Sequence, residues 1–316
     1  MAKSTNAAAA TKQQKKSLSD TNLLLLITVI VFVLMYAGAM IFLGEGFLKA
    51  QNFFNILMSQ SALIITSCGM SIVMINGGID ISVGGVVALV SMCSAVYLDF
   101  MGGNLFVSVL IALGIGLAYG IVQGFLVAYL EIQPFIVSLA GMFFARGLTS
   151  IVHSAPFNVE NEAFMALKDT RIVVPGLGSV NRIGKYVDAY INIGVIVAIL
   201  VVVILFIVLR WTKLGRAFYA VGGNRQSALM LGINVKRTRF LAHLLCSLLA
   251  GVAGYVYFLY VGSGSPSHAT GMEMNAIASS IIGGTMLTGG VGNIFGTFLG
   301  VLSLSTIQNI VSSIGL

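Results

Sequence analysis

The chain reads as long apolar runs separated by short polar clusters. No Asp, Glu, Lys or Arg occurs in 21–44, 50–79, 81–98, 100–130, 189–209, 240–272 or 274–316. A helix crossing about 30 Å of hydrocarbon needs about 20 apolar residues, so each interval holds one span or nearly two. The pattern predicts an all-α polytopic membrane protein with about nine transmembrane helices, near 23–43, 57–76, 81–98, 105–130, 135–152, 190–211, 239–260, 273–289 and 292–311. Unbroken runs such as Leu23–Ile27 and Val197–Val208 exclude the alternating segments of a barrel.

Two glycine-rich interruptions stand out. Ile75-Asn76-Gly77-Gly78-Ile79-Asp80-Ile81-Ser82-Val83-Gly84-Gly85 joins two runs too closely spaced for an ordinary loop, and Asp80 is the only charge between Lys49 and Asp99. Paired glycines there break helical regularity and free backbone groups, which lipid tolerates only against protein or a water-filled path. Two readings stand open: a tight turn with Asp80 capping the next helix, or a broken helix lining a transport path. The second interruption, Ile282-Gly283-Gly284-Thr285-Met286-Leu287-Thr288-Gly289-Gly290-Val291-Gly292, echoes the first. Each is followed by a small-xxx-small element, Gly116…Gly120 and Gly296…Gly300, suggesting related halves.

Composition sharpens the class. Of 316 residues 58% are apolar and 9% charged, against about 25% charged in soluble proteins. The mean hydropathy is +0.99. A soluble domain, a disordered chain and a nucleic-acid-binding module are excluded. The net charge of +7 is an orientation signal instead. Lys3, Lys12, Lys15 and Lys16 crowd the N-terminal tail (1–22), and seven bases without an acid fill 210–239. The connection 153–189 balances four bases against four acids. Tail and 212–238 are therefore expected in the cytoplasm and 153–189 outside, with 23–316 forming one transmembrane domain. Trp211 sits beside Arg210 and Lys213, where an interfacial anchor belongs. The first run exceeds the 7–15 residues of a signal-peptide core, so an uncleaved span is expected.

Chemistry-bearing motifs are sparse. No G-x-x-x-x-G-K-[S/T] phosphate loop occurs, His153, His243 and His268 are scattered, and no paired carboxylates or metal-ligand spacing emerge. The chain is not expected to be an enzyme, or to hold a metal or cofactor itself. Cys68, Cys93 and Cys246 lie in apolar runs and read as small core hydrophobes. In the basic segment, Asn224 is a good N-cap for two helical turns, Arg225 to Leu231, which Gly232 ends. Ala228, Leu229 and Leu231 make that short helix partly apolar. It reads either as resting on lipid headgroups or as docking a soluble partner.

Four stretches together carry a resemblance: Asn-Gly-Gly-Ile-Asp-Ile-Ser-Val-Gly (76–84), Gln-Pro-Phe-Ile-Val-Ser-Leu-Ala-Gly-Met (133–142), Tyr-Ala-Val-Gly-Gly-Asn (219–224) and Ile-Gly-Gly-Thr-Met-Leu-Thr-Gly-Gly-Val-Gly (282–292). In order from about Leu23 onward, they resemble the membrane subunits of bacterial ribose/xylose/arabinose/galactose-type ABC importers. Ala-Gly-Met-Phe-Phe-Ala-Arg-Gly (140–147) resembles the galactofuranose importer permeases in particular. The resemblance implies a sugar permease in the bacterial inner membrane that pairs with a second copy or a sister permease. It would take sugar from a periplasmic sugar-binding protein and be driven by a cytoplasmic ATPase with two nucleotide-binding domains, which holds the ATP and Mg. It also implies one further span beyond Ile314-Gly315-Leu316, where this chain stops.

On this reading Gly223, Asn224, Arg225, Ala228 and Gly232 form the ATPase contact. Asn76, Asp80, Ser82 and Gln123 face the sugar path, with Gly283, Gly284, Thr285, Gly289 and Gly290 on its other side. Asn, Gln and Ser both donate and accept hydrogen bonds, as sugar hydroxyls require. The alternative is an ion-coupled secondary carrier of a small polar solute, with Asp80, Glu131 or Glu273 titrating in the membrane. A structural membrane protein would leave the broken helices without a purpose.

Overall fold

The structure, a computed structural model, describes residues 20–43, 49–180 and 186–314. Residues 1–19, which make up most of the expected tail, lie outside these, as do Arg182, Lys185, Gly315 and Leu316. The elements run α1 (Asp20–Leu43), α2 (Ala50–Ile75), α3 (Val83–Asp99), α4 (Leu105–Ala128), α5 (Pro134–Val152), β1 (Phe157–Asn158), α6 (Glu162–Lys168), β2 (Ile172–Val180) and β3 (Tyr186–Ile191). They continue with α7 (Ile193–Trp211), α8 (Lys213–Gly223), α9 (Arg225–Met230), α10 (Val235–Val261), β4 (Ser263–Gly264), α11 (Met272–Ile282) and α12 (Ile294–Ile314). Asn104 and Asn192 start α4 and α7 by accepting the N–H groups of Val107 and Val195.

Among the described residues seven helices are long and apolar enough to span a bilayer: α1, α2, α4, α5, α7, α10 and α12. The apolar α3 is shorter, at 17 residues. The polytopic all-α expectation holds, but the ninefold count does not survive at 273–289. There α11 stops at Ile282 after 11 residues, about 16 Å of helix, half the hydrocarbon thickness. Gly283 caps it and Gly284 turns left-handed at φ +85°, so the apolar run continues as non-helical chain.

The helix α2 is the bundle's axis, with 89% of its most apolar window buried inside the protein. Its Ser61 and Thr66 hydroxyls return to the carbonyls of Met58 and Ala62, which lets polar residues sit in an apolar core. Small residues bring α4 onto α10: a Cβ at Gly120 would stand 2.9 Å from the Leu244 Cα, and one at Gly116 3.1 Å from the Gly251 Cα.

The connection 153–192 has structure of its own. β1 pairs antiparallel with β4, tying it to the end of α10, and β2 pairs antiparallel with β3. Phe164 of α6 is fully buried and stacks on Phe258 at 4.3 Å. Asp99, at the end of α3, accepts the Glu160 N–H at 2.8 Å. This connection therefore caps one end of the bundle. The basic segment 212–234 lies at the other end, a full length of α7 away, about 28 Å.

Candidate functional site

The chain between α2 and α3 turns back into the bundle. Gly77, at φ +80°, reverses it, and the Gly78 N–H returns to the Val73 carbonyl at 2.9 Å. Asp80 and Ser82 are then fully buried. Asp80 Oδ1 accepts the Ser82 N–H at 3.0 Å and the Ser82 hydroxyl at 2.6 Å, and Ser82 Oγ accepts Gln123 Nε2 at 2.7 Å. Asp80 Oδ2 receives the Ser247 hydroxyl at 3.5 Å. Ser247 lies about 12 Å along α10 beyond Arg239, the last charge of its first turn, so this hydrogen-bonded chain sits within the apolar layer.

Three of the four residues expected on a path are thus joined directly. Asp80 also caps the turn into α3, whose formal cap residue, Ser82, makes no side-chain cap bond of its own. Asn76 closes α2 apart from this chain, 8% exposed and with its Oδ1 unpartnered. Gln123 Oε1 and His243 Nδ1 are likewise buried without a partner. Gln123 is the sole amide side chain in the lining of an otherwise mostly apolar cavity of about 480 Å³ between α4 and α5, beside Tyr119, Ala140 and Phe144.

The second interruption packs onto the first rather than facing it across a gap. The Gly290 N–H donates to the Ile75 carbonyl at 2.8 Å, and Gly289 and Gly290 hold φ of +86° and +75°. A Cβ at Gly289 would stand 3.0 Å from the Gly77 Cα and 2.8 Å from the Gly222 carbonyl oxygen. A Cβ at Gly290 would stand 2.6 Å from the Gly223 Cα, and one at Gly222 would run into the Ile75 carbonyl. Gly77 of the first interruption and the pairs Gly222-Gly223 and Gly289-Gly290 therefore meet backbone to backbone. Tyr219 of α8 adds a hydrogen bond from its hydroxyl to the Gly292 carbonyl at 2.9 Å. Burial raises its phenol above the usual range, with Arg210 opposing, so the hydroxyl stays protonated and donates. Gly283 and Gly284 point elsewhere, toward Gly296 of α12 and Leu24 of α1. Thr285, 2% exposed, reaches Ser71 of α2 at 3.5 Å.

In the basic segment Asn224 caps α9 through the Ser227 N–H at 2.9 Å. Gly223, Asn224, Arg225 and Gly232 are exposed. Ala228, expected among the partner contacts, is instead 1% exposed and packs on Val221 and Val235. A two-turn helix needs one side to hold it to the protein, and Ala228 is that side. The outward surface is apolar: Leu229, Met230 and Leu231 are 54%, 88% and 77% exposed. Arg225 ties α9 to the α4–α5 turn through Glu131 at 2.9 Å.

Over residues 52–316 the chain matches the model of a family described as branched-chain amino acid transport system / permease component. The chain belongs to this permease family. It is 33% identical over 287 residues to the fructose import permease protein FruG of Bifidobacterium longum, which covers 91% of this chain and 82% of that protein. It is 34% identical over 278 residues to the ribose import permease protein RbsC of Escherichia coli, covering 86% and 81%. The inner membrane ABC transporter permease protein YjfF of Escherichia coli is 34% identical over 285 residues, covering 90% and 82%. No solved structure matches the chain at a significant level.

Sequence reasoning missed two polar features of this permease. His243 and Ser247 stand four residues apart on α10, one helical turn, and flank the turn that carries Asp80: the Ser247 hydroxyl reaches the carboxylate, and the His243 ring lies against Gly78. That spacing was readable once Asp80 was singled out. The second feature was legible only in part, since Glu273 stands among the acids of the ion-coupled alternative but nothing in the sequence ties it to Arg146. Arg146 of α5 donates to the carbonyls of Pro266, His268 and Ala269, and buried Glu273 of α11 lies over Gly84 with Oε2 unpartnered. Of the three acids an ion-coupled carrier would use, Glu131 is exposed and paired with Arg225, whereas Asp80 and Glu273 are buried.

Proposed function

We propose that this permease is the translocation subunit of a binding-protein-dependent ABC importer of a monosaccharide in a bacterial inner membrane. Its N-terminus and α9 face the cytoplasm and the 153–192 cap faces the periplasm. It works with a second copy or a sister permease, a periplasmic sugar-binding protein, and an ATPase that binds the ATP and Mg. The carrying observation is the buried chain Asp80–Ser82–Gln123 within the apolar layer. Relatives named for fructose and ribose import share 33% and 34% of their aligned residues with it.

The family description names branched-chain amino acids, whose aliphatic side chains want an apolar pocket. Hydroxyls, amides and a carboxylate within the apolar layer suit a polyol instead, because each can exchange an internal hydrogen bond for one to a sugar. The exposed apolar triplet of α9 suits burial against a soluble subunit, and its capped start presents it as a rigid unit. Transport of labelled ribose, fructose and leucine into cells carrying the full system tests this. Uptake of a sugar that needs ATP and survives a protonophore is expected. Uptake of leucine alone, or loss of uptake with a protonophore while ATP stays high, overturns the proposal.

A further inference from the structure

The glycine junction sits between two things the transport cycle must connect. On one side is α9, joined to α8 through the single residue Asn224. On the other are the two interruptions, one carrying Asp80 into the bilayer and the other ending α11 half-way through it. Between them there is no side-chain cushion. The Gly222 backbone lies directly on Ile75, Gly77, Gly289 and Gly290, and the Ile75 carbonyl is shared between the Gly290 N–H and the close approach of Gly222.

Direct backbone contact changes how a displacement passes. A methyl or longer side chain changes rotamer and absorbs a shift of about an ångström, whereas packed backbones have no such freedom. The hydrogen bonds Gly290 N–H to Ile75 O and Tyr219 hydroxyl to Gly292 O hold the far end of the second interruption, one fixing it to α2 and one to α8. Moving α8 therefore moves both interruptions together.

We infer that Gly222 and Tyr219 are positioning residues for transport: through the junction of Gly77, Gly222, Gly223, Gly289 and Gly290 they carry the position of α9 to both broken segments at once. The inference rests on the reading of α9 as the ATPase contact, but its test does not need the ATPase. Arg225 and Glu131 meet through the tips of long side chains, at 2.9 Å, so cysteines in their places can be bridged by a thiol-reactive bismaleimide with a reducible disulfide spacer, which clamps α9 to the α4–α5 turn. Amide hydrogen exchange is then measured on the full chain in nanodiscs, with the spacer intact and reduced.

Clamping is expected to slow exchange in 283–292 and 76–82 by about fivefold, the low end of ordinary coupling between sites. In Tyr219→Phe, which removes one hydrogen bond and no packing, the clamp should lose most of its effect on 283–292 while that on 76–82 persists. Gly222→Ala, which forces the backbones apart, should abolish both. If Gly222→Ala fails to fold, Tyr219→Phe still decides. A merely structural Tyr219 would raise exchange equally with and without the clamp, and that result overturns the inference, as does a clamp without effect in the parent protein. Loss of ATPase binding on changing the α9 surface is a separate measurement, so failure of the α9 reading and failure of the junction are told apart.

Discussion

Asp80 and Ser82 are joined twice, the carboxylate Oδ1 accepting both the backbone N–H and the hydroxyl of the residue two places on. The turn is thereby closed on itself, and the remaining carboxylate oxygen faces Ser247. Asp80→Asn keeps an acceptor for both donors and removes the charge, which weakens each bond to about half. Expression and insertion should hold, with a stability cost of about 1 kcal/mol or less. Uptake should fall about tenfold, as loss of one charge-assisted contact to a polar substrate would produce. Near-normal uptake would leave Asp80 a cap and nothing more.

Gln123→Leu removes both atoms of an amide whose two ends fare differently. Its Nε2 donates to Ser82, but its Oε1 is buried without a partner, so the leucine removes one good bond and one unsatisfied group together. Thermal stability in detergent should stay within about 1 kcal/mol of the parent while sugar uptake drops. Unchanged uptake removes Gln123 from the path.

On α9 the outward and inward faces should fail differently. Met230→Glu places a charge in the exposed apolar surface and should weaken co-purification of the ATPase at least about tenfold with the permease fold intact. Ala228→Glu buries a charge against Val221 and Val235, so it should unseat α9 itself, seen as faster proteolysis of 224–232 in the absence of any partner.

The α4–α10 contact leaves no room at its centre. Gly120→Val should destabilise the permease by about 1–3 kcal/mol, read as a lower Tm, because its branches meet the Leu244 backbone. Gly114→Ala, on the same helix with open space around it, should leave the Tm unchanged or slightly raised.

Topology is tested by cysteines at Ser154, in the cap, and at exposed Ser227, on α9. An impermeant thiol reagent on intact spheroplasts should label the first and not the second. Labelling of Ser227 alone would invert the orientation.

Helix existence was legible because bilayer physics writes itself into composition: charge-free intervals located six of the seven long helices and the shorter α3, and α5, which carries Arg146, showed in its apolar run alone. The end of α11 was legible only in part: the paired glycines of 282–292 marked an interruption, but the charge-free interval runs on through it, so length alone favoured a full span at 273–289. The polar chain was half legible. The chemistry of Asp80, Ser82 and Gln123 marks them individually, but their direct bonding spans 41 residues of sequence and depends on the turn at Gly77. The junction of Ile75, Gly222 and Gly290 has no local signature, because each glycine pair alone reads as an ordinary break. Ala228 misled for a related reason: an alanine gives no sign of which way it faces, and α9 is too short for a periodic pattern to supply one.

The hydroxyl of Thr28 in α1 donates both to Leu24, one turn back in its own helix, at 3.0 Å, and to the Ile282 carbonyl at 3.1 Å, across 254 residues of chain. This bears on the order in which the protein is made. The first helix enters the membrane long before Ile282 is synthesised, and its own carbonyl keeps the hydroxyl satisfied in lipid during that interval. When α11 finally ends within the apolar layer, its terminal carbonyl finds a donor already waiting in place. A segment made early thus serves as a prepared landing for one made 254 residues later.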